Sequence, residues 1–439
     1  MADKAAGRKT ATAVAPPSAS GRQIAAAVVG NALEFYDFTT YALFAVALGH
    51  TFFPVHAAFE SLMLSLMTFA VGFVSRPIGA VVIGRIGDRL GRKPAMLLSF
   101  SLMGLGMLGL VLIPPYSMIG PAAPALLVLC RLVQGFALGG EVGPTTAFLV
   151  EAARPDQRGL VGSWQSASQS VASLTGAIVG LALSHLLAPA DLEAFGWRIA
   201  FAIGALVLPF GLILRRSLTE TLHHPDPSAR DSGPGPVLQI KPLILGLMMI
   251  MSFTTSTYVL LYMTTFASET LHMSPGSSFG ASIANGVSGV IFTLLGGALS
   301  DRFGRKPVMI TARVLFLLAT FPVYLLIVSR RDPVTLILGT GLISALSSIS
   351  VGVVLVTLTE SLSKKTRSTA MAVLYAVGVA VFGGVAQPGV SAMIKAMHSP
   401  MAPAWYLMAT ALVGIVAMWL MPETRPTAAI AEAVPVELA

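Results

Sequence analysis

Glu34 and Asp37 lie three residues apart inside an apolar run near residues 24–49, where an ionised side chain is costly unless it is paired or put to use. On a helix that spacing puts both on one face, with Asn31 one turn before and Tyr41 one turn beyond. At about 1.5 Å per residue these groups stand a third to half of the way across a bilayer. Two carboxylates so close in a medium of low dielectric oppose each other's ionisation, and such a group can take up and release a proton. The competing reading makes one of them the fixed partner of a structural arginine. Arg131 is the cation available, toward the outer part of a fourth apolar run, with Gln134 beside it and Glu141 deeper. It can neutralise a carboxylate whose proton has left. Glu141 joins this proton-coupling set, or is a packing acid satisfied by hydroxyls.

Arg76, in the second run, is the cation expected in a substrate path, because a guanidinium meets a carboxylate through two parallel hydrogen bonds. Pro77 and Gly79 loosen the helix around it; snorkelling to the nearer face is the alternative. Gln165, Ser166, Ser168 and Gln169 give the fifth run a polar face. Thr254, Tyr258 and Tyr262 follow at four-residue steps in the seventh, and Asn285, Tyr375 and Gln387 add single polar groups. Asn31, Tyr41, Arg76, Gln134, Gln165, Gln169, Tyr258, Tyr262, Asn285 and Gln387 are therefore candidate substrate contacts. Arg313 and Lys395, near run ends, read as snorkelling charges.

The elements that must position these groups follow from composition. A hydrophobic fraction of 55%, a charged fraction of 11% and a mean hydropathy of +0.79 over 439 residues exclude an ordinary soluble chain. The net charge of +8 falls in short clusters between apolar runs, which points to membrane orientation rather than nucleic acid. Cys130 stands alone, so no internal disulfide and no metal site is expected. Twelve runs of bilayer-crossing length fall near 24–49, 59–83, 95–113, 124–150, 160–187, 197–215, 242–268, 277–299, 307–328, 333–359, 368–395 and 402–421. The reading is a cytoplasmic tail over 1–23, a six-helix bundle over 24–216, a cytoplasmic linker over 217–240, a second bundle over 241–422 and a tail over 423–439. Lysines and arginines put both termini in the cytoplasm, with Arg330 and Arg331 the clear exception.

One stretch occurs twice. GRIGDRLGRK, Gly84–Lys93, returns as GALSDRFGRK, Gly297–Lys306, each before a proline and a long apolar run. Such a turn cannot lie in hydrocarbon, where each charge costs about 2.5 to 3.5 kcal/mol on the mildest scale. Glu151 with Arg158, and Glu360 with Arg367, bracket corresponding turns in the two halves. These charges suggest a cytoplasmic gate of Gly84, Asp88, Arg89, Gly91, Arg92, Glu151, Arg158, Asp301, Arg302, Arg305, Glu360 and Arg367. In it Glu151 is expected to pair with Arg92, and Glu360 with Arg305.

The repeated turn and the spacing Arg131–Gly135–Gly139 resemble the signatures of the major facilitator superfamily. GNALEFYDF (Gly30–Phe38), SRPIG (Ser75–Gly79), RLVQGFALGGE (Arg131–Glu141), GWR (Gly196–Arg198) and RRSLTET (Arg215–Thr221) resemble its metabolite:proton symporters. The resemblance implies an all-α membrane protein with twelve transmembrane helices in two pseudo-symmetric bundles. It implies uptake of organic acids or zwitterionic osmolytes with protons, assigns Arg131 to proton coupling and adds Arg198 as a position some members use for an anionic substrate, with an interfacial role near water as the alternative for Arg198.

The expected function is proton-coupled uptake of a small organic anion, a citrate-like di- or tricarboxylate, by alternating access. An osmolyte symporter for proline or betaine is the nearest alternative, although no long heptad segment follows Glu423. A drug/proton exporter fits less well, since the fifth run lacks proline until Pro189, and a passive channel needs no repeated gate. No enzyme is expected, nor any cofactor beyond protons as coupling ion. The expected partners are the substrate anion and the lipid bilayer, not nucleic acid; the expected state is a monomer in the inner membrane.

Overall fold

The computed structural model describes residues 21–55, 57–90, 92–140, 142–216, 240–362 and 367–425. Gly91 and Glu141 lie outside the described residues, as do the side chains of Gly84, Asp88, Arg89 and Arg92, the linker over 217–239 and the tails over 1–20 and 426–439.

Among the described residues every regular element is a helix; the long helices fall on the twelve expected runs, and the short turns Tyr116–Ile119, Pro189–Asp191 and Leu192–Gly196 lie in the connections between them. Span 1 is Gly21–Leu43 continued by Ala45–Phe52, and span 2 is Ala58–Val74 continued by Arg76–Leu90. Span 3 is Arg92–Leu112, span 4 is Ala122–Leu138 with Val142–Ala152, span 5 is Arg158–Leu186 and span 6 is Trp197–Arg216. Span 7 runs Ile240–Leu261, Met263–Thr265 and a π turn, Phe266–Thr270; span 8 is Pro275–Phe303, span 9 Arg305–Arg330 and span 10 Pro333–Ser361. Span 11 joins Arg367–Gly378, a π turn Val379–Gly383 and Ala386–Met397, and span 12 is Ala402–Leu420. Both repeated turns fall at one end of the bundle, called here the basic face.

Eight of these helical stretches are long and apolar enough to cross a membrane unaided, among the described residues, and Leu97–Leu112 and Ala122–Leu138 are shorter apolar ones. Span 1 falls outside that group because Glu34 and Asp37 interrupt it. Leu105, Leu112, Leu186, Leu318, Leu338 and Trp419 are exposed around the outside, an apolar belt suited to lipid. The protein is a multi-pass membrane protein.

Lipid tails are as apolar as leucine, so these helices associate by close packing and interhelical hydrogen bonds rather than by expelling water. Spans 2 and 4 show the consequence. A Cβ at Gly135 would lie 1.7 Å from the Gly72 carbonyl oxygen, and one at Gly139 would lie 2.0 Å from that of Arg76. The glycines after Arg131 thus let two backbones touch, which is what their four-residue spacing is for. Pro77 has no N–H for the Phe73 carbonyl, and span 2 breaks at Ser75. The Ser75 hydroxyl donates to the Leu132 carbonyl at 2.8 Å, tying the break to span 4. Arg76 is the first residue after it.

The two halves meet along spans 5 and 8. At the basic face Gly159 and Gly297 abut: a Cβ on either would lie 2.4 to 2.5 Å from the other's carbonyl oxygen. At the opposite face the Phe279 ring fills the space beside Gly180 and stands 5.5 Å from Phe44. A cavity of about 70 Å³ lies between these two contacts. The halves thus touch on both sides of it.

Candidate functional site

The centre of the N-terminal half is an ion pair with no access to solvent. Span 1 presents Asp37 and span 4 presents Arg131, and both side chains are fully buried. Arg131 Nη1 lies 3.4 Å from Asp37 Oδ2. Gln134 completes a triangle, donating to Asp37 Oδ1 at 2.9 Å and accepting from Arg131 Nη1 at 2.7 Å. Asp37 therefore meets a guanidinium rather than a second carboxylate. Three residues separate it from the buried Glu34, but its described contacts all come from span 4. Burying this pair costs several kcal/mol per ion, which mutual attraction repays only with good geometry and satisfied lone pairs. Gln134 supplies part of that satisfaction. Arg131 sits nearly midway along its span, flanked by the rings of Phe38 and Tyr41 at 4.6 and 4.5 Å.

Beside this pair is an aromatic box. Phe38, Phe69 and Phe73 from the first half and Tyr258 from the second hold their ring centroids between 4.6 and 6.3 Å apart. Arg76 fills the box, its guanidinium carbon 4.4 Å from the Phe38 ring and 4.3 Å from the Phe73 ring. At 3% exposure it does not snorkel. Its Nε and Nη2 have no hydrogen-bond partner among the described residues, and no described carboxylate lies within 4 Å. The π turn of span 11 makes room for this arrangement, because a Cβ at Gly383 would lie 2.8 Å from the Tyr258 ring.

The cavity between the halves is lined by hydroxyls, amides and rings. Phe38, Thr39, Ser166, Gln169 and Ser170 face Tyr258, Asn285, Thr293 and Ser347 across it. Of the expected substrate contacts, Gln169, Tyr258 and Asn285 line this cavity, and Arg76 stands behind Phe38 and Tyr258. The rest lie elsewhere. Asn31 and Gln165 bond to each other, with Asn31 Nδ2 donating to the Gln165 backbone carbonyl and to Ser168, and Gln165 Nε2 donating to Asn31 Oδ1. They bind span 1 to span 5. Tyr41 donates to the Ser65 carbonyl at 3.1 Å, and Gln387 Nε2 to that of Tyr258 at 3.3 Å. Tyr262 lines a second, outer cavity together with Glu269, Ser391 and Lys395. Arg198 donates to the Ile113 carbonyl at 2.8 Å and lies over Trp197, tying off span 3 outside the cavity. Arg313, expected to snorkel, has no exposed surface at all. Its position near a helix end was misleading because that face of span 9 packs inward on span 7.

The gate at the basic face closes differently from the symmetric expectation. Asp301, at the end of span 8, accepts the backbone N–H groups of Gly159 and Leu160 at 2.7 and 2.8 Å. A carboxylate from one half thus caps the positive N-terminus of span 5 in the other. Arg305 donates to Asp301 at 2.6 Å and forks onto Glu360 through Nε and Nη2, both at 3.2 Å. The expected Glu360–Arg305 pair is present. Glu151 pairs with Arg367 of the other half at 3.1 Å, and the side chain of the expected partner Arg92 lies outside the described residues. Arg302 is exposed against Phe303, and neither it nor Arg158 forms an ion pair among the described residues.

Sequence reasoning missed Glu423, whose carboxylate accepts the Arg305 and Lys306 N–H groups at 2.9 Å and so caps span 9. Burial alone would raise its pKa, but backbone bonds from Lys306, Arg425, Arg305 and Thr424 outweigh it and hold the carboxyl below its ordinary value. Only the placement of this acid just after the last apolar run hinted at the role.

The sequence model of the Major Facilitator Superfamily matches residues 27–291 and 245–436. The chain belongs to the major facilitator superfamily. Among its relatives in that superfamily is the citrate-proton symporter of Salmonella typhi, 35% identical over 395 residues that cover 88% of this chain and 91% of that one. The proline/betaine transporter of Escherichia coli (strain K12) is 31% identical over 421 residues, 92% of this chain and 83% of that one. A crystal structure of a D-xylose-proton symporter superposes with a TM-score of 0.72 over 92% of this chain and 98% of that one, at 19% identity. That last likeness concerns the fold, two six-helix halves about a central cavity.

Proposed function

We propose that this superfamily member is a proton-coupled symporter that takes up a small organic anion, a di- or tricarboxylate of the citrate type, by alternating access. The observation that carries the anion is Arg76, a buried guanidinium whose Nε and Nη2 lack partners among the described residues, beside a cavity walled by both halves. A carboxylate is the group whose geometry satisfies those donors in pairs. The citrate-proton symporter relatives support the choice.

Proton coupling is assigned to Asp37, Arg131 and Gln134, with Glu34 beside them and Glu141 completing the set. Protonation of Asp37 removes the charge that holds Arg131, leaving a cation to be neutralised by the incoming anion. Loss of the proton restores the pair and weakens the hold on the anion. The basic face is placed in the cytoplasm, as the positive-inside rule requires, and Asp301, Arg305, Glu360, Glu151 and Arg367 form the cytoplasmic gate. The protein works as a monomer in the inner membrane, as a carrier rather than an enzyme, with protons as coupling ion and no cofactor.

Osmolyte uptake is the second reading, favoured by the proline/betaine relatives. The box argues against it for a quaternary ammonium. Phe38 and Phe73 would suit such a cation, but the protein's own Arg76 already occupies their faces. The test is uptake by proteoliposomes under an imposed pH gradient, offered labelled citrate, succinate, proline and betaine. Concentrative uptake of the carboxylates supports the proposal; concentrative uptake of proline or betaine alone overturns it.

A further inference from the structure

The function proposed above leaves one buried charge unused. Arg313 of span 9 has no exposed surface, and no described carboxylate lies within 4 Å of it. Its guanidinium meets hydroxyls instead: Nε and Nη2 donate to Ser252 Oγ at 3.0 and 2.6 Å, and Nη1 donates to Ser347 Oγ at 3.4 Å. Phe316 covers one face at 4.7 Å. Three of its five N–H groups are thereby used, all on neutral acceptors. Span 12 packs closely on the far side: a Cβ at Gly414 would lie 2.2 Å from Ser252 Oγ. A charge held this deep without a counter-charge is costly, and in a membrane protein it marks a place where an ion passes.

Ser347 connects this charge to the cavity, whose wall it forms with Ser348 and Val351. Its oxygen accepts from Arg313, so its own hydrogen is free to point elsewhere, and no described acceptor claims it. A hydroxyl that accepts from a cation becomes a stronger donor.

We propose that Ser347, polarised by Arg313, is the second anion subsite of the cavity, taking a second carboxylate of a substrate whose first carboxylate is held by Arg76. This rests on the organic-anion reading above and deepens it. The two guanidinium groups belong to opposite halves, so only a substrate with at least two carboxylates engages both. Such a substrate draws the halves together into the occluded form, and a monocarboxylate leaves the Arg313 side unneutralised. Selection of polycarboxylates over monocarboxylates then resides in the C-terminal half. Ser252 is a positioning residue, since it holds the guanidinium in line with Ser347.

The experiment measures binding of citrate, succinate and acetate to the purified full-length carrier and to Ser347→Ala, Arg313→Gln and Arg76→Gln. Ser347→Ala removes only a hydroxyl and keeps the readout usable if Arg313→Gln fails to fold. One charge-assisted hydrogen bond corresponds to roughly 10- to 100-fold in Kd. Ser347→Ala is expected to weaken citrate and succinate by about that factor and leave acetate unchanged. Arg76→Gln is expected to weaken all three. Citrate and succinate binding that survives Ser347→Ala, or an equal loss for acetate, overturns the subsite. A wild-type carrier that binds no carboxylate but binds betaine overturns the anion reading itself, and the subsite with it.

Discussion

Replacing Asp301 by asparagine tests whether the basic face is locked by one carboxylate that serves both halves. In the closed form its two oxygens accept the Gly159 and Leu160 N–H groups at 2.7 and 2.8 Å, and one also accepts Arg305 at 2.6 Å. Asparagine keeps one acceptor and turns a second donor toward an N–H, so one charge-assisted bond across the halves is lost. Such a bond is worth about 1.5 to 3 kcal/mol net. Asp301 is only 10% exposed, so solvent screens it little, and a loss of about 2 kcal/mol is reasonable. That corresponds to roughly a 30-fold rise in the open population. Val356 lies fully buried beneath the gate, against Gly162 of the other half. With Cys130, the sole cysteine, changed to serine, Val356→Cys becomes a reporter read by an impermeant maleimide. When opening is fast relative to labelling, the rate follows the open population. Asp301→Asn should speed labelling by about 30-fold, and Asp156→Asn, an exposed acid at the same face, should not change it. Equal labelling in the parent and in Asp301→Asn refutes the lock.

Three further outcomes follow from the same geometry. Gly135→Ala should unfold the carrier at markedly lower temperature, because overpacking of this kind costs about 1 to 3 kcal/mol or more, whereas Gly276→Ala, which meets nothing within 4 Å, should leave the melting curve in place. Glu423→Gln should lower stability at neutral pH by about 0.5 to 1 kcal/mol, discounted for its partial exposure. Because the Glu423 pKa is lowered on folding, its contribution is full above the ordinary carboxyl value of 4.5 and fades as the pH falls below it. Thermal unfolding between pH 7 and pH 4 should therefore show the gap between wild type and Glu423→Gln closing only at the acid end. Arg76→Lys should not rescue anion binding lost in Arg76→Gln, since an ammonium cannot form the paired bonds of a guanidinium; equal Kd values for lysine and arginine would contradict that role.

Most of the twelve spans were legible because a run of about 20 apolar residues has few places to go but the bilayer, and the spans interrupted by charge or shorter than that were legible from their place in the repeat. Arg131 and Asp37 were legible as buried charges because they lie within apolar runs. Their pairing was open as the competing reading, because two acids three apart on one helix also invite an argument between neighbours, and the geometry decides it by turning Asp37 toward span 4. Asn31 and Gln165 read as substrate ligands because each is polar, and only the fold shows that they bond to each other across spans 1 and 5. Arg313 was misplaced by counting residues to the helix end, a measure blind to which face packs inward. The gate was visible as a repeat, and symmetry correctly suggested Glu360 with Arg305. Symmetry could not show that Asp301 and Glu151 reach across the halves. Glu423 had no pattern to announce it, since a cap supplied from a distant part of the chain leaves no local spacing.

Proton coupling through the Asp37–Arg131 pair is the claim on which the carrier's energetics depend, and one measurement addresses it directly. Proteoliposomes with wild type or Asp37→Asn are compared for citrate accumulation under an inward proton gradient and for citrate exchange with no gradient. Asp37→Asn should lose accumulation and retain exchange. Gradient-driven accumulation by Asp37→Asn equal to that of wild type would contradict the assignment.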